Sequence, residues 1–139
     1  MTARTFVDAE DLVLEWAKTT TVAPLVTSGS RVDIFLAMPK GAPLPCVILS
    51  RVGGSPDLGD APVDHARISF GVYAANRPQA KNIAKTLTSE IESIGYGAPY
   101  VGATGRLTSA TVVLNLWLPE PGTDTPRYVV DAVFPVMSN

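Results

Sequence analysis

Cys46 and His65 are the only cysteine and the only histidine in this 139-residue chain. They are therefore the first residues to test for chemistry. A thiolate–imidazole pair would serve as a nucleophile and its base. Cys46, however, lies in the apolar run Cys46-Val47-Ile48-Leu49, where a thiol is ordinarily inert core. The residues predict a buried cysteine and a surface histidine. One cysteine also excludes an internal disulfide, and one histidine leaves little for a zinc site. Asp57, Asp60 and Asp64 are spaced by three and four within a glycine-rich stretch. Calcium loops use spacings of two and a distal bidentate glutamate, so these aspartates read as turn caps or a subunit contact. Gly53-Gly54 has no following Lys-Ser/Thr and opens no helix, so it is no phosphate loop. No G-x-S-x-G occurs. Glu90 and Glu92 fall on a wet helical face, and Asp131 sits in a strand where Arg67 or Arg127 would neutralise it. The expectation is a protein that is not an enzyme and uses no cofactor or metal.

Four arginines, Arg51, Arg67, Arg106 and Arg127, lie in or beside predicted strands. Their planar forks suit either surface ion pairing or a protein interface. Charged residues make up only 17% of the chain and apolar residues 46%, against a usual charged share of about 25%. That balance excludes intrinsic disorder and points to apolar surface covered by another chain. A net charge of −2 gives no electrostatic case for wrapping nucleic acid or binding an anionic membrane. Met1 to Glu10 lacks the apolar core of a signal peptide, and no apolar run approaches the ~18–20 residues of a membrane span. The length fits one domain, residues 1–139.

The elements that must position these residues follow from periodicity. Asp8 to Lys18 predicts a helix, with Asp8 as N-cap and Leu12, Val13, Trp16 and Ala17 on one face. Arg31 to Met38 and Pro45 to Val52 read as strands joined into a hairpin by a proline-rich linker. Gly53 to Asp64 reads as a loop. His65 to Ala75 alternates strictly, with Ala66, Ile68, Phe70, Val72 and Ala74 on one side. Pro78 to Ser93 is the strongest helix, its stripe being Ala80, Ile83, Ala84, Leu87, Ile91 and Ile94; Lys81, Lys85 and Glu92 are among its wet residues. Tyr96 to Gly105 reads as a loop. Arg106 to Leu118 and Arg127 to Val136 read as a long hairpin closed by Pro119 to Pro126. At about 3.3 Å per residue the first would span roughly 43 Å. A compact domain this size is about 37 Å across, so the strand overhangs or is interrupted. Val112, Leu114, Leu116 and Leu118 fall on one of its faces, Val113 and Trp117 on the other. Both are apolar, and a second dry face must be covered. The order α-β-β-β-α-β-β predicts an α+β fold: a mainly antiparallel sheet with two helices packed on one face.

In their order along the chain these segments resemble the tail terminator (tail completion, minor tail) proteins of long-tailed bacteriophages. The resemblance rests on the opening helix Asp8 to Lys18, on Pro43-Leu44-Pro45-Cys46-Val47-Ile48-Leu49 and on Arg51-Val52-Gly53-Gly54. It continues through the strand Ala66 to Ala75 running into the helix at Pro78. It closes with Trp117-Leu118-Pro119-Glu120-Pro121 and Thr125-Pro126-Arg127-Tyr128-Val129-Val130. It implies a non-catalytic virion protein, made in the host cytoplasm, that forms a hexameric ring at the tail–neck junction. The ring would cap the tail tube, end its polymerisation and meet the head-tail connector protein. Its partners would be copies of itself, the major tail tube protein and the connector, with genomic DNA passing through the lumen without specific binding. A head-closure or connector protein of the same particle is the alternative, and a small ligand-binding α+β domain a third. Candidate contact residues are Arg51, Asp57, Asp60, Asp64, Arg67, Arg106, Trp117, Arg127 and Asp131.

Replacing Leu114 or Val133 with aspartate tests the covered-face argument. A core position is expected to lose a few kcal/mol in urea titration, on the order of other buried-charge substitutions. An interface position leaves stability intact and abolishes assembly. Normal stability with normal assembly contradicts both.

Overall fold

The computed structural model describes residues 6–41, 43–57 and 63–139. Helix α1, Ala9–Ala17, begins where Asp8 accepts a hydrogen bond from the Asp11 N–H (3.1 Å), and ends at Lys18. It buries Ala9, Leu12, Val13, Trp16 and Ala17. A short 3₁₀ turn, Ala23–Val26, leads into the two-stranded ribbon of β1 (Thr27–Ser28) and β2 (Arg31–Val32). The main sheet then contains β3 (Ile34–Phe35), β4 (Cys46–Asp57) and β5 (Val63–Tyr73). Helix α2 is Arg77–Gly95, capped by Asn76, whose side chain accepts from the Gln79 N–H (2.9 Å). After it come β6 (Tyr100–Val101), β7 (Gly105–Leu107), β8 (Thr111–Trp117) and β9 (Arg127–Ser138).

The sheet order is β3-β4-β5-β9-β7-β6, with β8 also paired to β9. Alternate residues of the three long strands share one face: Val47 and Leu49 of β4, Ala66 to Val72 of β5, and Val130 to Val136 of β9, all buried. Both helices pack on that face and close a single core with it. Phe134 lies at its centre, with Trp16 at 5.7 Å edge-on and Phe70 at 6.1 Å. The α+β class, the mainly antiparallel sheet and the two helices on one face agree with the sequence reading, and β3 is the strand that pairs in parallel.

Four local expectations are corrected. The first two long strands do not form a hairpin: β3 pairs parallel to β4 (Ile34 with Val47, Phe35 with Ile48), so the Gly- and Pro-rich linker is a crossover. Asp33 interrupts the strand. Its N–H donates to Val26 O (2.9 Å) and its carbonyl accepts from the Val47 N–H (3.0 Å), which stitches the turn to the sheet. The expected loop Gly53 to Asp64 is largely sheet, because β4 runs on to Asp57 and β5 begins at Val63. A bulge between Arg51 and Gly53 absorbs the irregularity. Gly54 has φ +96°, and a Cβ there would lie 1.9 Å from His65 O, so glycine permits two backbones to touch. The long strand Arg106 to Leu118 is two strands, β7 and β8, end to end along β9. The break lies opposite Phe134 and Pro135, and proline brings no N–H to a ladder. Finally, a second bulge between Val112 and Leu114 changes the phase of β8. Val112 therefore lies on the helix side, whereas Leu114, Leu116 and Leu118 turn to the other.

Phe134→Ala removes the centre of the aromatic cluster. It is expected to lower unfolding free energy by about 3–5 kcal/mol in urea titration. A loss below about 1 kcal/mol would show that the cluster is not the core's anchor.

Candidate functional site: the helix-free face of the sheet

The side of the sheet away from the helices carries Ile48, Ser50, His65, Arg67, Ser69, Tyr73, Arg127, Val129, Asp131, Val133 and Met137 in alternation, with Leu114, Leu116 and Leu118 beside them. Neither helix packs over it, and the end that carries Cys46 and Tyr73 is nonetheless buried. Large apolar side chains are exposed on or beside this face: Val52 55%, Val113 46%, Leu116 44% and Leu118 44%. Leu114 and Val133 are half-buried there.

One ion pair sits in the middle of the greasy face. Arg67 Nη2 donates to Asp131 Oδ2 (3.0 Å), and Nε approaches the same oxygen at 3.3 Å. The Asp131 carboxylate is nearly buried while Arg67 is 43% exposed, so the positive end faces outward. Asp131 Oδ1 has no hydrogen-bond partner among the described residues. Arg67 is thus the strand partner of Asp131, as one of the two sequence options had it. Arg127 serves elsewhere. It donates through Nε to Leu118 O (2.9 Å) and lies 5.8 Å from the Tyr73 ring centre, pinning the end of the β8–β9 hairpin.

The other candidate residues do not converge on this pair. Arg51 and Asp64 form a forked ion pair at 2.5 and 2.7 Å on the helix side. The Arg51 N–H also donates to Glu10 Oε2 (2.9 Å), tying α1 to the edge of β4. Its bond to Asp64 raises the Arg51 pKa further. Asp57 stands in β4 opposite Val63, and Asp60 lies outside the described residues. Arg106 is exposed on β7 opposite Met137. Trp117 turns to the helix side, where its ring meets that of Tyr128 at a tilt (5.2 Å) and lies under Arg77 (4.6 Å).

Among the described residues, Cys46, His65 and Asp64 do not converge on one site. Cys46 is buried opposite Tyr73 and His65 is exposed opposite Ser55, roughly 26 Å apart along β5. Asp64 points to the opposite face from His65. Burial pushes the Cys46 thiol up to about 11, with Asp33 and Glu120 adding to the effect, which suppresses the reactive thiolate. Among the described residues no three His, Cys, Asp or Glu side chains gather as a metal site. No helix among them is long and apolar enough to cross a membrane. An open groove of about 540 Å³ lies beside α1, lined by Phe6, Val7 and Leu12 with Asp8, Asp11 and Glu15. Glu15 is already engaged there by Tyr100 OH (2.7 Å) and the Ala103 N–H (3.0 Å). Loss of solvation, and secondarily that Glu15 bond, push the Tyr100 hydroxyl up to about 12. The sequence reading places Tyr100 in the loop Tyr96 to Gly105 and does not single out Glu15; their contact, and the short strand that holds Tyr100, need the fold.

The family described as "Tail completion protein gp17" matches residues 13–133. No curated protein matches. Among solved structures, a chain from "Virion of native gene transfer agent (GTA) particle" superposes with a TM-score of 0.66 at 22% identity, over 93% of this chain and 94% of that one. That likeness is one of fold.

The buried thiol gives a pH test. A folded pKa of about 11 against an ordinary 9.0 means its stabilising contribution is fully present below pH 9 and is lost as pH rises through 11. Urea midpoints at pH 8 and pH 11 should fall further for the native chain than for Cys46→Ala. Equal declines would mean the thiol is not held protonated by the fold.

Proposed function

Because the chain belongs to the tail completion protein gp17 family, and is thus a structural, non-catalytic protein of a phage virion tail, we propose that it ends the tail tube as a ring. The ring is hexameric. It caps the finished tube, stops its polymerisation, and presents its far side to the head-tail connector protein. The observation that carries this reading is the uncovered sheet face, where Leu116 and Leu118 stand 44% exposed around the Arg67–Asp131 pair. An apolar patch with an outward arginine has the composition of a protein contact.

A cyclic ring needs two different patches per copy, because its contacts are heterologous. The helix-free face supplies one. The end of the sheet where Arg51 and Asp64 pair supplies a polar one. Arg106 and Arg127 lie along the rim of the first. The lumen need only let DNA slide, and every phosphate-neutralising cation would tighten the grip. A net charge of −2 per copy suits that duty. The resemblance to a chain of a gene transfer agent virion supports the same setting, since that particle retains this fold.

Leu116→Asp separates assembly from folding. The side chain is half in water already, so unfolding free energy should change by less than about 1 kcal/mol. Sedimentation and negative-stain microscopy with purified tail tube protein should show capped tubes for the native chain and none for the variant. A native chain that ignores tube protein, or that joins only connector protein, overturns the terminator reading.

A further inference from the structure

The groove beside α1 is apolar within and acidic along its rim. Phe6, Val7 and Leu12 line about 540 Å³ of open space, flanked by Asp8, Asp11 and Glu15. Asp8 and Asp11 are exposed, and neither has an ion-pair partner among the described residues. Glu15 bonds to the Tyr100 hydroxyl and the Ala103 N–H, both neutral donors, so its charge is not balanced either. No lysine or arginine lines the groove among the described residues.

The helix-free face has the opposite character. Leu116 and Leu118 stand out from it. The arginines and carboxylates that β5, β7 and β9 turn to it are Arg67, Arg106, Arg127 and the nearly buried Asp131. Arg127 is engaged by Leu118 O, whereas Arg67 and Arg106 carry their charge toward solvent. Groove and face lie on opposite sides of the sheet, because α1 packs on the core side. Glu10 ties the first turn of α1 to Arg51, so the groove borders the polar end of the sheet.

We propose that the α1 groove of one copy receives the helix-free face of the next. Leu116 and Leu118 enter beside Phe6 and Val7, and the Arg67 guanidinium meets the rim of Asp8, Asp11 and Glu15. The occupant is a second copy because this chain carries both halves of the match, apolar on apolar and cation on carboxylate. Two patches on opposite sides of one copy cannot both be satisfied within a pair of copies. The contact is therefore heterologous and passes from copy to copy, as a ring requires. It rests on the ring reading and adds to it the surface that meets the helix-free face.

Crosslinking tests the contact on the full chain, both free at high concentration and on purified tail tube protein. Thr104→Cys marks the groove and Leu116→Cys the face; Cys46 is buried and protonated, and the parent chain is its control. With a bismaleimide crosslinker the double variant should give a ladder of dimers, trimers and larger species. A mixture of the two single variants should stop at dimers, and either one alone should give none. Asp11→Lys in the double variant should keep native circular dichroism and cut the ladder at least about fivefold, since it sets a cation against Arg67. Lys85→Glu, outside both patches, should leave it unchanged. No ladder in either condition overturns the proposal. So does a single variant that dimerises as well as the mixture, or a ladder that ignores Asp11→Lys. Capping of the tube, seen by microscopy, is a separate readout. Capped tubes without a ladder overturn this contact and keep the ring, whereas a ladder without capping keeps the contact and overturns the terminator reading.

Discussion

Strand β9 is the constraint on which the rest of the molecule depends. It pairs with β5 along one side over ten residues and with both β7 and β8 along the other. Its alternate side chains, Val130, Ala132, Phe134 and Val136, form the floor on which both helices rest. Period two then forces Val129, Asp131, Val133 and Met137 to the opposite side. A strand whose two faces are both largely apolar cannot satisfy both within one layer of helices. The fold covers one face fully and leaves the other half-dressed. That division places the functional surface more directly than any single residue does.

Polar groups are arranged to hold this division in place. Arg51, Asp64 and Glu10 tie α1 to the margin of β4, so the helix cannot slide off the core face. Tyr100 and Ala103 hold Glu15 on the opposite flank of the same helix. Arg77 over Trp117 locks the start of α2 to β8. Arg67 and Asp131 pair on the helix-free face, where Asp131 lies between Ser69 of β5 and Leu114 of β8. A nearly buried carboxylate with one oxygen unmatched is expensive to keep in a core, and its neutraliser faces water. An ion pair in that position gives specificity to a contact that apolar area alone would leave slippery.

The chemistry of the chain is accordingly that of surfaces. The cysteine is buried and held protonated, the histidine lies far along the same sheet, and Asp33, Asp64 and Asp131 pair with arginines. What remains exposed is a face with leucines and an arginine. A structural role in a virion tail asks for these features and no others, since its work is recognition between subunits at fixed geometry.

The elements with strong periodicity were determined by the amino-acid order. The α2 stripe from Ala80 to Ile94 and the alternation from Ala66 to Ala74 each match one burial geometry, because only a 3.6 or a 2.0 period brings those side chains to one side. Asp8 and the Pro78 region marked helix starts for a local reason, the unsatisfied N–H groups of a first turn. Other features were decided only by tertiary contact. The direction of β3 is set by what Asp33 bonds to, and turn-rich linkers carry no record of it. Gly53 to Asp57 has the composition of a loop, yet β5 draws it into the sheet, and Gly54 is there because His65 O leaves no room for a Cβ. The phase of β8 depends on a one-residue bulge that sends Leu114, Leu116 and Leu118 to the open face. A single inserted residue reverses every side chain beyond it, and only the pairing strand reveals where that residue sits.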